Sequence, residues 1–247
     1  MLSKNTLKFI KSLQQKKFRK QEQLFFVEGG KNVTELLQSD YEVSQVLCTQ
    51  QFLNSQAKLL NSVKAEVFEV SQAILESIGS FQTNDSALAV AKSKPNLSFE
   101  LGSNEWAIAL DDVKDPGNLG TIIRIADWYG IQKIFLSEES AEFYNPKVLN
   151  ASMGSFTRIQ VFYTDLNAYL ANSEHAVYGA FLDGDSIYQT EFGNGGIVLM
   201  GNESNGITKA IAHLVTHKIT IPRFGEAESL NVAVATAVIC DNIRRTK

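Results

Sequence analysis

The stretch Ile219-Thr-Ile-Pro-Arg-Phe-Gly-Glu-Ala-Glu-Ser-Leu-Asn-Val-Ala-Val-Ala-Thr-Ala-Val238 decides how the chain is read. It opens as a short β-branched strand, breaks at Pro222, crosses a polar turn containing Gly225, and enters a long run of small and apolar residues at Ser229. A chain that leaves a strand, bends over polar residues and starts a helix presents backbone N–H groups at the bend. Such bends bind ligands at the carboxyl edge of an α/β sheet. Two earlier stretches, Leu110–Gly130 and Ile197–Ile207, repeat the order of strand, Gly/Asn turn and helix. The three turns are expected to converge on one site. The final run is ambiguous locally. Val232, Val234, Thr236 and Val238 alternate like a strand, whereas Leu230, Ala233, Val234, Ala237 and Val238 fit a helix. Its length, its alanines and the basic Arg244, Arg245 and Lys247 at its end favour a helix.

Working outward, Trp106–Leu110, Ile131–Leu136, Ala176–Phe181 and Ile197–Met200 read as buried strands. Between them lie a helix carrying Leu119, Ile122, Ile123 and Ala126 and ended by Gly130, a helix opened by Asn145-Pro146, and a helix over Thr208–Val215. Alternation of this kind implies an α/β fold with a mostly parallel sheet covered on both faces. The first part of the chain reads as a separate small α/β domain. A helix over residues 3–17 is capped by Ser3, and the strands are Leu24–Val27, Val43–Cys48, Glu66–Val70 and Ala87–Ala91. Helices after Gly30, over Gln50–Leu60 and after Ser71 complete a βαβαβ-like block. Polar, Pro- and Gly-punctuated residues follow. The expected division is 1–95 for the small domain, 96–104 for a linker and 105–247 for the second domain.

A chain of 247 residues holds one large domain or two ordinary ones. Apolar content of 44% and charged content of 20% are those of a soluble globular protein. No run is apolar enough to span a bilayer, and the Lys-rich start lacks an apolar signal core, so a cytoplasmic location is the default. Cys48 and Cys240 read as buried thiols. The net charge of −4 counts mildly against an obligate polyanion binder, yet its distribution is uneven. Lys4, Lys8, Lys11, Lys16, Lys17, Arg19 and Lys20 all precede the first acidic residue, Glu22. They are candidate RNA-binding residues; the alternative is a solvated helix face.

Several chemistries find no support. There is no G-x-G-x-x-G after a strand and no P-loop. His175, His213 and His217 do not cluster as metal ligands, and no metal is expected. No G-x-S-x-G elbow supports a serine triad. What remains is three turns rich in Asn, Gly, Ser and Glu, with Arg124 on the helix after the first. An arginine there is suited to gripping phosphate through paired N–H donors. The alternative is an ion pair with Asp127 or Asp111.

The segments Asp115-Pro-Gly-Asn-Leu-Gly-Thr-Ile-Ile-Arg-Ile-Ala-Asp127, Met200-Gly-Asn-Glu-Ser-Asn-Gly-Ile207 and Ile221-Pro-Arg-Phe-Gly-Glu-Ala-Glu-Ser-Leu-Asn-Val-Ala-Val-Ala235 resemble, in order and spacing, the three motifs of the SpoU-type (TrmH-like) RNA 2′-O-ribose methyltransferases. That family belongs to the trefoil-knotted SPOUT superfamily. Residues 1–95, with Phe26-Val-Glu-Gly-Gly-Lys31, resemble the small substrate-binding domain that precedes many members. The resemblance implies a deep trefoil knot, with the chain after about Gly195 threaded through an earlier loop. It also implies methylation of a ribose 2′-hydroxyl with S-adenosyl-L-methionine as donor, in a homodimer joined through the C-terminal domain. Ribosomal RNA is the leading substrate. Transfer RNA, or a non-catalytic RNA-binding role in ribosome assembly, are the alternatives. By position, Leu199, Gly201, Ile221, Leu230 and Asn231 would frame the cofactor, and Arg124, Asn118, Ser229, Asn231 and Glu203 would form the catalytic set. For Ser229 a helix cap, and for Asn231 a first-turn helix position, are the competing roles. The chain departs from the common pattern at Ser204-Asn205, where a glycine is frequent, and at Ala233, where serine is common.

Overall fold

The computed structural model describes residues 2–245, so Lys247 lies outside the described residues. The chain forms two compact units. One contains residues 2–95 and 142–157, the other residues 96–141 and 158–245.

The first unit begins with α1 (Lys4–Ser12) and α2 (Lys16–Glu22), followed by β1 (Leu24–Glu28) and α3 (Gly30–Leu37). Then come β2 (Val43–Cys48), α4 (Gln50–Ser55), α5 (Ala57–Ser62), β3 (Glu66–Glu69), α6 (Gln72–Ile78) and β4 (Ala87–Lys92). Ser3 caps α1 by accepting from Thr6 N. Ile10 and Leu13 then enter the core with Phe26, Leu47, Leu75 and Leu88. The four strands are ordered β1-β4-β2-β3. β4 lies between β1 and β2 and is antiparallel to both, and only β2 and β3 run parallel. The block is therefore mixed rather than a plain βαβαβ repeat.

The single helix expected over residues 3–17 is two helices, and Arg19 accounts for the break. Its Nη1 donates to the carbonyls of Leu13 and Gln14, both at 2.8 Å, satisfying acceptors that the end of α1 leaves open. Its Nε donates to Glu142 Oε1 at 3.1 Å and its Nη2 pairs with Glu142 Oε2. At 4% exposure Arg19 is a buried structural cation and is removed from the RNA-binding candidates. Lys4, Lys8, Lys11, Lys16, Lys17 and Lys20 are exposed.

The second unit starts at Asn96. The stretch read as a linker is docked there. Leu101 is buried, and the Phe99 ring lies 4.9 Å from that of Phe135. Next are β5 (Trp106–Leu110), α7 (Pro116–Trp128) and β6 (Lys133–Leu136). After α8 (Pro146–Ser152), which belongs to the first unit, come β7 (Gln160–Tyr163), α9 (Leu166–Ala171), β8 (Val177–Ser186) and β9 (Gly196–Met200). The chain ends with α10 (Lys209–Ala212), β10 (His217–Thr220) and α11 (Val232–Arg245). The sheet order is β10-β8-β9-β5-β6-β7, and every pairing is parallel. The ambiguous last segment is helical. Val232, Thr236, Ile239, Cys240 and Ile243 form its buried stripe at helical spacing. β7 and α9 carry no clear sequence signal.

The return of residues 142–157 to the first unit is not legible in the sequence either. Asn145 caps α8 by accepting from Lys147 N. Asn150 Nδ2 donates to Glu28 Oε1 at 3.1 Å, and the fully buried Glu28 carboxylate also accepts from Ser80 N and Phe81 N. Tyr144 stacks on Phe25 with centroids 4.6 Å apart. Gly154 has φ +93°, and an added Cβ would stand 2.5 Å from the Glu35 side chain, so only glycine fits. Cys48 and Cys240 are both buried, which pushes their thiols up to about 11 and about 12. Among the described residues, no helix is long and apolar enough to cross a membrane.

Candidate active site

Parallel strands place β5, β9 and β10 with their carboxyl ends at one edge of the sheet, and the three Gly/Asn turns follow those strands. The side chain of Asn118 joins all three. Its Nδ2 donates to Glu203 Oε1 in the second turn at 2.6 Å, and its Oδ1 accepts from Asn231 Nδ2 at the end of the third turn at 2.9 Å. Asn118 is itself held at the start of α7, where its backbone N donates to the capping Asp115 carboxylate at 2.8 Å.

The first and second turns are further tied by groups that sequence reading missed. Asp111 is buried, and its Oδ2 accepts from Thr208 N at 2.7 Å. Desolvation holds its carboxyl above the usual aspartate value, partly offset by the Thr208 bond. Asp112 adopts φ +59°, a left-handed conformation that Asp tolerates better than most residues. Its carbonyl accepts from Asn202 Nδ2 at 2.8 Å, and its N donates to Ser137 Oγ at 2.9 Å. Asn202 Oδ1 also accepts from Ser204 N and Asn205 N at 2.9 and 3.2 Å. This is an Asx turn, and the Asn-x-x-x-Gly spacing was the signal available to find it. The left-handed residue here is Gly206, at φ +66°. Neither Ser204 nor Asn205 has positive φ, so this departure from the common pattern carries no backbone strain. Gly201 is required by crowding. An added Cβ would sit 2.2 Å from Gly206 C and Ile207 N.

The third turn is different in kind. From Arg223 through Leu230 every residue is exposed, and among the described residues no backbone N–H in that run donates a hydrogen bond. Such unpartnered donors, open to solvent beside a rigid sheet edge, are what a polar ligand needs. Asn231 ends the turn and caps α11, its Oδ1 accepting from Ala233 N at 3.0 Å and Val234 N at 3.3 Å. The cap role considered for Ser229 thus belongs to Asn231, two residues later. Ser229 is exposed and makes no hydrogen bond among the described residues. Ala233 is buried in the first turn of α11.

Of the residues assigned to the cofactor, Gly201 and Ile221 are half-buried and Leu230 is exposed. Leu199 differs from these. It is fully buried in the core with Ala107, Ala109 and Phe135, and β9 is paired on both sides, so its side chain lies beneath the site. Arg124 lies six residues past Asn118, about 9 Å along the axis of α7. It is exposed and has no ion pair among the described residues. Both partners proposed to neutralise it are engaged elsewhere. Asp127 is clasped by Arg158, and Asp111 holds Thr208 N. The site therefore combines free backbone donors, an Asn-centred junction and an available guanidinium, an arrangement suited to holding a polar small molecule next to a polyanion.

Residues 105–241 match the SpoU rRNA Methylase family, and residues 4–89 match the MRM3-like substrate binding domain. Over 240 residues the chain is 28% identical to the 23S rRNA (guanosine(2553)-2'-O)-methyltransferase RlmP of Bacillus subtilis (strain 168), covering 95% of this chain and 94% of the relative. A solved putative RNA methyltransferase of the TrmH family from Porphyromonas gingivalis is 37% identical, with a TM-score of 0.87 and full coverage of both chains (100% of each). An AdoMet-bound rRNA methyltransferase from Sinorhizobium meliloti is 27% identical, with a TM-score of 0.88 over 99% of this chain and 96% of that one.

Proposed function

The chain belongs to the SpoU rRNA Methylase family, and from that premise we propose that it is a cytoplasmic enzyme that methylates a ribose 2′-hydroxyl of ribosomal RNA using S-adenosyl-L-methionine. The observation that carries this reading is the junction at Asn118, which brings the three motif turns together beside an available Arg124.

The residues fit the donor. The open backbone of residues 223–230, with Gly201, Ile221, Leu230 and Asn231 around it, would hold a ligand bearing both polar and apolar parts. Bound there, S-adenosyl-L-methionine supplies a methyl carbon made electrophilic by its sulfonium. The chain's own work is to orient and to polarise. Arg124 binds a backbone phosphate of the RNA through paired N–H donors and stabilises negative charge developing on the 2′-oxygen as its proton passes to solvent water. A guanidinium holds its proton too firmly to serve as a base, so its role is electrostatic. Asn118 keeps Glu203 and Asn231 in place, and Ser229 offers a hydroxyl near the reacting atoms. Holding donor and hydroxyl in line is worth roughly 7–11 kcal/mol at best. The trefoil knot belongs to the same reading. Its support is the match of residues 105–241 to that family.

Three outcomes are expected. Arg124→Ala should lower incorporation of tritiated methyl groups into rRNA by about 10²–10³, the size of a lost charge-stabilising donor; undiminished transfer would overturn its assigned role. The exposed Lys4, Lys8, Lys16, Lys17 and Lys20 are assigned to phosphate binding, and Lys11 is set apart because its Nζ donates to the Ser77 carbonyl at 2.8 Å. Because Ile10 and Leu13 are core residues, substitution to glutamine is the proper test. It should flatten the dependence of log affinity on log salt by about 0.7 for each single-stranded phosphate no longer neutralised. An unchanged slope would place RNA elsewhere. A homodimer is supported by α7 and α11, which pack together and leave Trp128 82% and Val234 51% exposed. Light scattering at micromolar concentration should read twice the single-chain mass, and the single-chain mass would contradict it.

A further inference from the structure

Arg124 and Asp127 are three residues apart on α7, a spacing at which side chains of one helix meet, with Cβ atoms about 5–6 Å apart. An aspartate there is the natural local partner for the arginine. The structure shows it committed elsewhere. Arg158 Nε donates to Asp127 Oδ1 and Oδ2 at 3.0 and 3.1 Å, and Arg158 Nη2 donates to Oδ2 at 2.9 Å. This is a two-pronged clasp on a carboxylate that is itself only a quarter exposed. Among the described residues, Arg124 is left without an ion pair.

We propose that Arg158 is a positioning residue for methyl transfer: by sequestering the Asp127 carboxylate it keeps the Arg124 guanidinium available to RNA phosphate. This rests on the role assigned to Arg124 above. Without Arg158, the Asp127 carboxylate loses this clasp one helical turn from the guanidinium. It then competes with phosphate for the same donors and repels the RNA backbone. Arg158 occupies a particular place in the chain. It is the first residue of the second unit after the excursion of residues 142–157 into the first. The segment that leads back from the first unit thus begins with the group that sets the charge around Arg124.

The test is a four-way comparison of kcat/KM, using tritiated S-adenosyl-L-methionine and ribosomal RNA from a strain lacking the protein. Thermal midpoints are measured on the same samples. Arg158→Gln should lower kcat/KM about two- to fivefold, the scale of a partly exposed charge pair. The loss should shrink as salt is raised. Asp127→Asn should stay near wild type. The double variant Asp127→Asn/Arg158→Gln should recover most of the loss although it lacks the clasp altogether, and Arg158→Lys should recover part. A purely structural clasp predicts the opposite, with the double variant as impaired as Arg158→Gln. That result, or full activity in Arg158→Gln, overturns the proposal. Arg124→Ala runs in parallel. If it is fully active, the reading of Arg124 has failed; if it is inactive while Arg158→Gln is unimpaired, only the present inference has.

Discussion

The carboxamide of Asn118 is the group on which the site depends. A single planar group donates to Glu203 and accepts from Asn231, so three segments separated by 85 and 113 residues in sequence meet at one side chain. A carboxamide is suited to this, since it carries a donor and an acceptor on opposite edges. An aspartate would place like charges against Glu203, and a leucine would release both exposed partners to solvent. The junction also explains the placement of Asn231. The same residue that reaches Asn118 caps α11, so the direction of the last helix and the closure of the site share one anchor.

Around that junction the turns differ in rigidity, and the difference matches their tasks. The second turn is closed on itself by Asn202 and fixed to the first by Asn202, Asp111 and Thr208. The third keeps its N–H groups exposed and, among the described residues, unpaired. A firm wall beside an open, donor-rich loop suits the reception of a ligand, because only one side must order on binding. The sheet supplies the frame. Six parallel strands order the carboxyl edge, and Gly201 allows the second turn to fold back against its own strand.

Much of this is legible in the sequence. Strand–turn–helix boundaries marked by Pro116, Gly130, Gly206 and Pro222 point to the parallel sheet, and the three motifs mark the turns. Other features rest on interactions between residues distant in sequence, which periodicity cannot report. Arg19 sits in a lysine-rich run and looks like its neighbours, yet Glu142 and two carbonyls bury it. The stretch 96–104 has linker composition, but Phe99 and Leu101 dock it. Residues 142–157 lie inside the run matching the methylase family and fold with the first unit through Glu28, Phe25 and Arg19. Leu199 follows the motif by position, and the two-sided pairing of β9 keeps it in the core. In each case the local pattern is sound and a long-range partner decides the role.

The central claim is that the three turns act as one receptor, and hydrogen–deuterium exchange with and without S-adenosyl-L-methionine tests it most directly. The open amides of residues 223–230 exchange freely when nothing holds them, and ligand must slow them. The account predicts that protection appears together in the segments around 111–120, 201–208 and 221–231, and that Asn118→Ala weakens it in all three. Protection confined to one of them, or appearing away from the sheet's carboxyl edge, would contradict it.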